Sequence, residues 1–330
     1  MGARLQATHR LQCELDQALT GGRRTARPPD DTRLFMLAYR HAFHAGNHAD
    51  VLKHLVLDQV LRYMTAKDKP FRYIDTHAGA GGYLLKGAQA QKKAEYREGI
   101  NRLWSRPDLP EAVAQYVELV QRFNLPEAAP GEPAPELEKG MTPPLALYPG
   151  SPSIARMHLR PGDSMRLFEL HPSDARTLAA HFGGRQVQVI NEDGFAGLKG
   201  KIPPSPRRGL VLMDPSYELV GDYGKVVATL REAVTRFAEG VYVLWYPQVN
   251  RIEAAQLPKR LMALSPKGWL HVRLTVNKPD AQGFGLSGSG LFVINPPFTL
   301  HATLAAVMPY LVEQLAQYED ASFLIEEQPA

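Results

Sequence analysis

The chain carries, just past its middle, a short apolar run that ends in an acidic turn: Gly209-Leu210-Val211-Leu212-Met213, then Asp214-Pro215-Ser216-Tyr217. The run has the length and composition of a strand buried in a parallel sheet. Open α/β sheets bind ligands at the carboxyl ends of their strands, which is where the acid, the proline carbonyl and the aromatic ring stand here. This stretch therefore predicts an α/β fold with a ligand site at residues 214–217.

Strand-like and helix-like segments alternate on both sides of this turn. Such alternation is typical of a doubly wound, mainly parallel sheet with helices on both faces. Two late strand-like segments joined by a Gly/Ser-rich loop predict an antiparallel hairpin at the sheet edge. The expected fold is thus α/β and Rossmann-like, with a mainly parallel, seven-stranded sheet. The predicted strands are 71–75, 165–170, 187–191, 209–213, 240–245, 270–277 and 290–295, and the predicted helices are 47–67, 152–159, 173–183, 222–238 and 301–317.

Shifts in composition predict the domain organisation. Residues 1–35 are rich in Arg, Gly and Pro, and we expect a disordered extension there, with Met36 as the native start. Residues 36–330 are expected to form the α/β domain. Residues 86–149 combine helix-like segments with a stretch rich in Pro, Ala and Glu. They are predicted to form a small helical insertion between the first two strands of the sheet.

Composition also limits the classes of protein to which the chain can belong. With 330 residues, 44% of them hydrophobic, the chain can bury a full core. Its formal net charge of +4 is compatible with binding to an anionic polymer but does not require it. The single cysteine, Cys13, excludes an intrachain disulfide and argues against a Cys/His zinc cluster. No apolar run approaches the ~20 residues of a membrane span, and no secretory signal is recognisable, so we expect a cytoplasmic protein.

The turn at residues 214–217 suits a flat heterocycle with an exocyclic amino group. The amino nitrogen of adenine is a poor nucleophile because its lone pair is delocalised into the ring. Two acceptors at its hydrogens, here the Asp214 carboxylate and the Pro215 backbone carbonyl, favour a pyramidal nitrogen. Tyr217 can stack on a base that has flipped out of its helix. Attack on a sulfonium methyl would then depend mainly on positioning. The alternative interpretation is an ordinary Asp-Pro turn.

Three segments at the ends of neighbouring strands predict a cofactor pocket. At residues 75–82 an acid leads into a glycine-rich turn, which allows the backbone to approach a ligand closely. Glu169 can accept from both hydroxyls of a ribose. Asp193 can accept from an adenine amino group, while the backbone beside it at Gly194 donates to a ring nitrogen. Each segment also has a purely structural interpretation. Residues 75–82 could be a tight strand-to-helix turn, Glu169 a surface carboxylate, and Asp193 the start of an Asx-turn.

The His-rich segment at residues 39–54 predicts a lid that contacts cofactor and nucleic acid. It places Lys53 and His54 on the polar side of the helix that follows the N-cap Asn47. His44 and His48 are four residues apart, as metal ligands on a helix can be. Glycine and alanine between them argue against a helix there, and no carboxylate completes a site, so no metal is predicted.

Two further segments have simple structural explanations. Ser151 and Pro152 are a good N-cap and N1 pair for a helix whose N-terminus could also bind a cofactor carboxylate. Asn295-Pro296-Pro297-Phe298 has the same shape as the turn at 214–217. Because it follows the predicted hairpin strand, away from the central crevice, we interpret it as structural.

The order of these segments resembles that of S-adenosylmethionine-dependent amino-methyltransferases: a glycine turn, a ribose acid, an Asp-Gly pair and an Asp-Pro-x-Tyr turn. Longer stretches are similar to the family of large-subunit ribosomal RNA adenine-N6 methyltransferases of the J type, over about residues 36 to 320. These stretches are Tyr39-Arg40-His41-Ala42-Phe43-His44-Ala45-Gly46-Asn47-His48-Ala49-Asp50-Val51-Leu52-Lys53-His54, Asp75-Thr76-His77-Ala78-Gly79-Ala80-Gly81, Tyr148-Pro149-Gly150-Ser151-Pro152, Glu169-Leu170-His171-Pro172-Ser173-Asp174 and Leu244-Trp245-Tyr246-Pro247.

The resemblance implies a class I methyltransferase that uses S-adenosylmethionine. Its substrate would be one adenine, at position 2030 in reference numbering, in naked or partly assembled 23S rRNA. Asp214 matches the catalytic acid, Tyr39 matches a residue that contacts RNA, and Lys53 is assigned to the RNA beside it. We expect a monomer without a metal and without a membrane partner. The residues that match the family's cofactor contacts are His54, His77, Ser151, Glu169, Asp193 and Gly194.

One departure from the family concerns the catalytic turn, where Ser216 stands in place of a second proline. The acceptor carbonyl belongs to Pro215, so we expect the chemistry to survive with a looser turn and a lower rate. A DNA adenine-N6 methyltransferase is an alternative, although no separate DNA-reading module is recognisable. An inactive RNA-binding homologue is another, and Ser216 is its only support. The glycine spacing argues against a nicotinamide dehydrogenase.

Overall fold

The computed structural model describes residues 41–85, 90, 94–126, 135–138, 140–264, 268–278 and 285–329. The predicted extension at 1–35 and Tyr39 lie outside these residues. The described chain forms an eight-stranded sheet with a hydrophobic cluster and helices on each face, and a separate two-stranded sheet. The predicted α/β, Rossmann-like fold is confirmed.

The strands agree with the predicted ones to within a few residues, except that three were not predicted. They are β1 (Arg72–Asp75), β2 (Gly82–Leu84), β3 (Leu147–Pro149), β4 (Ser164–Phe168), β5 (Val187–Ile190), β6 (Gly209–Met213), β7 (Val241–Gln248), β8 (Trp269–Thr275), β9 (Gly288–Ile294) and β10 (Ser322–Gln328).

The helices include all five that the sequence predicts. The α-helices are α1 (His48–Ala66), α2 (Glu111–Phe123), α3 (Ser151–His158), α4 (Pro172–His181), α5 (Gly194–Gly197), α6 (Gly221–Arg236), α7 (Ile252–Met262) and α8 (Leu300–Leu315). None of the helices in the described ranges is long and apolar enough to cross a membrane.

The order of strands in the large sheet is β10-β8-β9-β7-β6-β1-β4-β5. Strands β5, β4, β1, β6 and β7 run parallel, and β9, β8 and β10 are each antiparallel to their neighbours. The chain moves outward from β1 to β4 and β5, then returns to place β6 on the other side of β1. The strand order therefore reverses between β1 and β6, and a ligand crevice is expected at the carboxyl ends of these two strands.

Strand β6 shows why its sequence reads as a continuous apolar run. All five of its residues are buried. Leu210 and Leu212 belong to the hydrophobic cluster on the face covered by α1, α3 and α8, while Val211 and Met213 belong to the cluster on the face covered by α6 and α7. A central parallel strand between two helical layers has no polar face, so period-2 alternation is absent.

The sheet has eight described strands rather than the expected seven, because β10 pairs with β8 along its whole length, from Ser322 opposite Thr275 to Gln328 opposite Trp269. The β8–β9 hairpin consequently lies inside the sheet and not at its edge. Strand β10 is largely exposed and ends in polar residues. Its apolar run is only three residues long, Phe323-Leu324-Ile325, and shows no alternation, so the sequence signal is weak and the strand was not predicted.

The insertion at 86–149 is less helical than expected where the structure describes it. Residues 94–126 hold one α-helix, α2, and two 3₁₀ turns, Glu95–Glu98 and Ile100–Arg102. Helix α2 packs on α1 through a strongly apolar face that includes Tyr116. The described part of the insertion therefore shares the hydrophobic cluster of the main domain and forms no core of its own.

Candidate active site

Two cavities meet at the carboxyl edge of the sheet, and Lys53 and Asp214 border both. The first cavity lies over the ends of β1, β4 and β6 and encloses about 1090 Å³, including the part open to solvent. The second cavity lies beside it, over the ends of β6 and β7. The first cavity is lined by eight residues that the sequence predicts for the site: His54, His77, Ser151, Glu169, Asp193, Gly194, Asp214 and Pro215.

Tyr217, which the sequence also predicts for the site, lines the second cavity instead of the first. Its side chain is 3% exposed, and its hydroxyl donates to the Trp245 carbonyl over 2.9 Å. Its backbone has a φ of +53°, a left-handed conformation that aromatic residues rarely adopt. The turn after β6 therefore ties Tyr217 to β7 at some conformational cost.

Lys53 is buried, whereas the sequence placed it on a polar helix face. Its ammonium lies 2.6 Å from Asp214 Oδ2 and 2.8 Å from Asp50 Oδ1. Burial alone would lower the pKa of Lys53, but the two carboxylates outweigh it and raise the pKa above its ordinary value. Lys53 is thus a fixed cation between two acids, and it orients the predicted catalytic carboxylate.

Asp50 anchors the other side of this cation. It is 1% exposed and accepts from the backbone N–H of Gly46 and from His41 Nε2, each over 2.9 Å. Burial raises the pKa of Asp50, but His41 and Lys53 outweigh it, so the pKa lies well below its ordinary value. The start of α1 and the segment before it are therefore held to the catalytic turn through one charged network.

The glycine turn after β1 is shaped around Glu169. Gly79 has a φ of +62°, and a Cβ there would overlap the Tyr83 hydroxyl. Its backbone N–H donates to Glu169 Oε2, and the N–H of His171 donates to Glu169 Oε1, each over 2.7 Å. Burial raises the pKa of Glu169 to about 7, even though these hydrogen bonds oppose the shift. Both carboxylate oxygens are thus held in place at the cavity wall.

Asp75, the acid that leads into the glycine-rich turn, does not line the cavity. It is fully buried and accepts from the hydroxyls of Tyr73 and Ser151, each over 2.7 Å. Burial raises the pKa of Asp75 to about 6. Asp75 thus positions Ser151, the first residue of α3. The sequence predicted Ser151 as the N-cap of that helix, but the N-cap is Gly150.

Of the two predicted histidines, His54 is buried and His77 is half-buried, and the lowered pKa of each favours a neutral ring. Burial lowers the pKa of His77 to about 4 despite the nearby carboxylates of Asp214 and Asp193, and it lowers the pKa of His54 well below the ordinary value. His77 packs edge-on against Phe195, with ring centroids 4.8 Å apart. Neutral imidazoles can present one donor and one acceptor each, so hydrogen bonding and not charge is their means of contacting a ligand.

Asp193 and Gly194 begin the short helix α5. Asp193 Oδ1 accepts from the Phe195 backbone N–H over 2.8 Å, which is the Asx-type cap that the sequence offered as the structural alternative. A Cβ at Gly194 would overlap the Thr76 carbonyl, so only glycine fits against the turn after β1. Both residues line the first cavity, and the cap leaves the second Asp193 oxygen available there.

Several residues of the site were not predicted. Asp50 and His41, which extend the predicted residues Lys53 and Asp214 into a charged network, are two of them, and Trp245 and Arg251, which line the second cavity, are two others. A signal for part of this was present, because Asp50 and Lys53 stand three apart among apolar residues of α1, the spacing of a paired acid and base. Trp245 and Arg251 come from the end of β7 and the loop after it, and no sequence pattern placed them beside residue 214.

Other predictions concern residues away from the site. Asn295 donates to the carbonyls of Ala238 and Gly240, which confirms that the second Pro-containing turn is structural. Asn47 caps α1 by accepting from the N–H groups of Ala49 and Asp50, as predicted. Within the described ranges, no three His, Cys, Asp or Glu side chains are grouped so that they could hold a metal ion.

Comparison with known proteins identifies one family. The profile described as "Ribosomal RNA large subunit methyltransferase D, RlmJ" matches residues 68–324. The curated "Ribosomal RNA large subunit methyltransferase J" of Escherichia coli (strain K12) is 44% identical over 281 residues, which cover 85% of this chain and 94% of that protein. The protein of the same name from Haemophilus influenzae (strain ATCC 51907 / DSM 11121 / KW20 / Rd) is 42% identical over 292 residues, 88% of this chain and 98% of that protein.

A solved structure shares the fold. The crystal structure of a protein from Legionella pneumophila str. Philadelphia 1 is similar with a TM-score of 0.75 and 34% sequence identity. The similarity covers 86% of this chain and 98% of that chain.

Proposed function

Because the chain belongs to the ribosomal RNA large subunit methyltransferase J (RlmJ) family, we propose that it methylates N6 of one adenine in 23S rRNA, at position 2030 in reference numbering. The observation that supports this most directly is the pair of cavities that meet at Asp214. One cavity has the donors, acceptors and glycines of a nucleoside-containing cofactor site, and the other has aromatic walls.

The first cavity is proposed to hold S-adenosylmethionine. Its residues fit such a group, because Glu169 offers two oriented oxygens to a ribose and the glycines at 79 and 194 allow close approach. His54, His77, Ser151 and Asp193 supply the remaining polar contacts. When bound, the cofactor supplies an electrophilic methyl group on a sulfonium sulfur. Acidic residues at the cavity wall, including Asp214, suit a ligand with a cationic centre.

The second cavity is proposed to receive the flipped adenine. Trp245 lines it, and its half-buried ring offers a face on which a base can stack. Tyr217, which is 3% exposed, packs against Trp245 and supports that wall of the cavity. Asp214 and the Pro215 carbonyl accept from the two hydrogens of the amino group, so the nitrogen lone pair points out of the base plane. Lys53 keeps the Asp214 carboxylate in one orientation through the 2.6 Å ion pair and borders the same cavity, where it can contact the nucleotide. Tyr39, which precedes the described residues, is proposed to contact the RNA.

The substrate form and setting are also proposed. The chain would act as a monomer in the cytoplasm, on naked or partly assembled 23S rRNA. It would need no metal, since positioning and hydrogen bonding carry this chemistry.

The test compares 23S rRNA from cells with and without the gene by mass-spectrometric mapping of N6-methyladenine. We expect the modified adenine at position 2030 to vanish in the deletion strain and to return when the gene is restored. Purified protein with methyl-labelled S-adenosylmethionine should label 23S rRNA and leave duplex DNA unlabelled. Labelling of DNA instead of RNA would support the DNA methyltransferase alternative. If calorimetric titration with S-adenosylmethionine detects no binding, the alternative of an inactive RNA-binding homologue would be supported.

A further inference from the structure

A buried hydrogen-bond chain connects the insertion to the first cavity. The Tyr116 hydroxyl, on α2, lies 2.7 Å from the Tyr148 hydroxyl, and the Tyr148 hydroxyl lies 2.8 Å from His54 Nδ1. All three side chains are at most 1% exposed. The rings of His54 and Tyr148 also stack, with centroids 5.5 Å apart. A path of three polar groups thus crosses the apolar cluster between α2 and the cavity wall.

The number of hydroxyl hydrogens that find an acceptor determines the direction of donation along this hydrogen-bond chain. If Tyr116 donates to Tyr148 and Tyr148 donates to His54 Nδ1, both hydroxyl hydrogens have acceptors. In the reverse direction, His54 Nδ1–H donates to Tyr148 and Tyr148 donates to Tyr116. The Tyr116 hydrogen then has no acceptor among the described residues. A buried unsatisfied O–H costs about 1–3 kcal/mol, so the first direction is favoured.

The favoured direction fixes the proton on the imidazole. Since Nδ1 accepts, a neutral ring must carry its hydrogen on Nε2. Burial and the neighbouring Lys53 keep the ring neutral, as the lowered pKa of His54 indicates. His54 lines the first cavity, and with Nδ1 turned inward to Tyr148, Nε2 is the nitrogen left for a ligand there.

We propose that Tyr148, supported by Tyr116 of the insertion, is a positioning residue that holds His54 as the Nε2–H tautomer. The imidazole then presents a hydrogen-bond donor to an anionic oxygen of the ligand in the first cavity. The identity of that oxygen rests on the proposed function, in which the carboxylate of the S-adenosylmethionine amino-acid tail is the matching group. The insertion thereby becomes part of the cofactor site.

Nitrogen-15 NMR of ¹⁵N-histidine-labelled protein measures the tautomer without any ligand. The His54 signals are assigned by their absence in His54→Asn. We expect a neutral ring with a protonated Nε2 and an acceptor Nδ1 in the wild type. Tyr148→Phe should lose that bias and show both tautomers, while Tyr116→Phe should retain it, since Tyr148 can still donate. A protonated Nδ1 or a charged ring in the wild type would overturn the proposal.

Calorimetric titration with S-adenosylmethionine tests the consequence for binding. Tyr148→Phe should raise the Kd about tenfold, the factor expected for loss of one oriented hydrogen bond, and Tyr116→Phe should raise it less. Tyr242→Phe is the matched control, because that hydroxyl is also fully buried but donates to the Ala233 and Phe237 carbonyls in the other cluster. If Tyr242→Phe raises the Kd as much as Tyr148→Phe does, Tyr148 contributes only to general stability and the proposal is refuted.

The two experiments separate failure of this proposal from failure of the proposed function. If the wild type shows the Nε2–H tautomer but His54→Asn binds S-adenosylmethionine as tightly as the wild type, the assignment of His54 to the cofactor is wrong and the hydrogen-bond chain stands. If His54→Asn weakens binding but the tautomer is reversed, the cofactor assignment stands and the role of Tyr148 is refuted.

Discussion

At the scale of single residues, Asp214 does not act alone. Its carboxylate is one end of a buried charged network that runs through Lys53 to Asp50 and His41. A carboxylate that is to accept from an amino group gains from being fixed before the substrate arrives, because no reorganisation is then needed during the reaction. The network provides that fixation, and it makes the start of α1 part of the catalytic turn.

Removing the cation should destabilise the protein strongly. Lys53→Met leaves the buried Asp50 carboxylate with His41 as its remaining side-chain partner, and we expect a loss of about 3–5 kcal/mol in the free energy of unfolding. Urea denaturation measures it. Lys225→Met is the control, since Lys225 is 43% exposed and pairs with Asp222 at 3.2 Å, and such a pair contributes at most about 1 kcal/mol. Equal, small losses in both variants would contradict the buried network.

Glu169 should make the folded protein less stable as pH rises, which is the opposite of the usual effect of a carboxyl group. Its pKa rises from the ordinary 4.5 to about 7 in the folded protein, so the folded state binds this proton more tightly than the unfolded chain. The wild type should therefore lose stability relative to Glu169→Gln as pH rises from about 4.5 to 7, by on the order of 2–3 kcal/mol. Thermal or urea unfolding of both cofactor-free proteins across this range measures the difference. A difference that grows in favour of the wild type would refute the shift.

At the scale of elements, the turn after β6 has Ser216 at the position where the family resemblance implies a proline. Ser216 is exposed, and the residue after it holds a left-handed backbone. We expect Ser216→Pro to stabilise the fold by about 0.4–1 kcal/mol, because proline restricts the unfolded chain more than serine does. It should also quicken methyl transfer without changing the cofactor Kd. Ser216→Ala, which adds no ring, should do neither. A slower Ser216→Pro enzyme would mean that the turn requires the freer backbone.

Strand β10 should protect the edge of the sheet. Deletion of residues 321–330 removes seven cross-strand pairs with β8, each worth about 0.2–1 kcal/mol, so a loss of about 1–7 kcal/mol is expected. It also exposes the backbone donors and acceptors of β8, and an exposed edge favours self-association. Unfolding curves and light scattering measure both effects. A truncated chain that is as stable and as monodisperse as the full one would contradict this role.

Elements were predictable where the chain repeats a strong pattern. The five parallel strands and the five helices between and after them follow from apolar runs and helical spacing, with boundaries wrong by a few residues. Strand β10 was missed because an exposed edge has little apolar pattern. Strands β2 and β3 were missed because each is three residues long and forms only against the other.

At the scale of the whole molecule, the site was predictable to the extent that the fold was. Parallel strands bring their carboxyl ends to one edge, so residues after β1, β4, β5 and β6 had to converge. Contacts across long sequence separations were not predictable in the same way. Lys53 and Asp214 are 161 residues apart, and Trp245 reaches the second cavity only because β7 lies next to β6.

The modest net charge of +4 predicts weak dependence of RNA affinity on salt. Few phosphates are neutralised, so a plot of log affinity against log salt concentration should have a slope no steeper than about −3. Filter binding of a 23S rRNA fragment at several salt concentrations measures the slope. A much steeper slope would mean that a concentrated basic surface binds the RNA backbone.

The most direct test of the account is methyl transfer by Asp214→Asn at saturating S-adenosylmethionine, in single turnover on 23S rRNA. Asparagine keeps the size of the side chain but replaces one acceptor oxygen with a donor amide. The account predicts a fall in the transfer rate of at least about 10²-fold, the cost of losing one preorganised hydrogen bond to the reacting group, with the cofactor Kd unchanged. A rate close to that of the wild type would contradict the assignment of Asp214 as the acceptor that activates the adenine amino group.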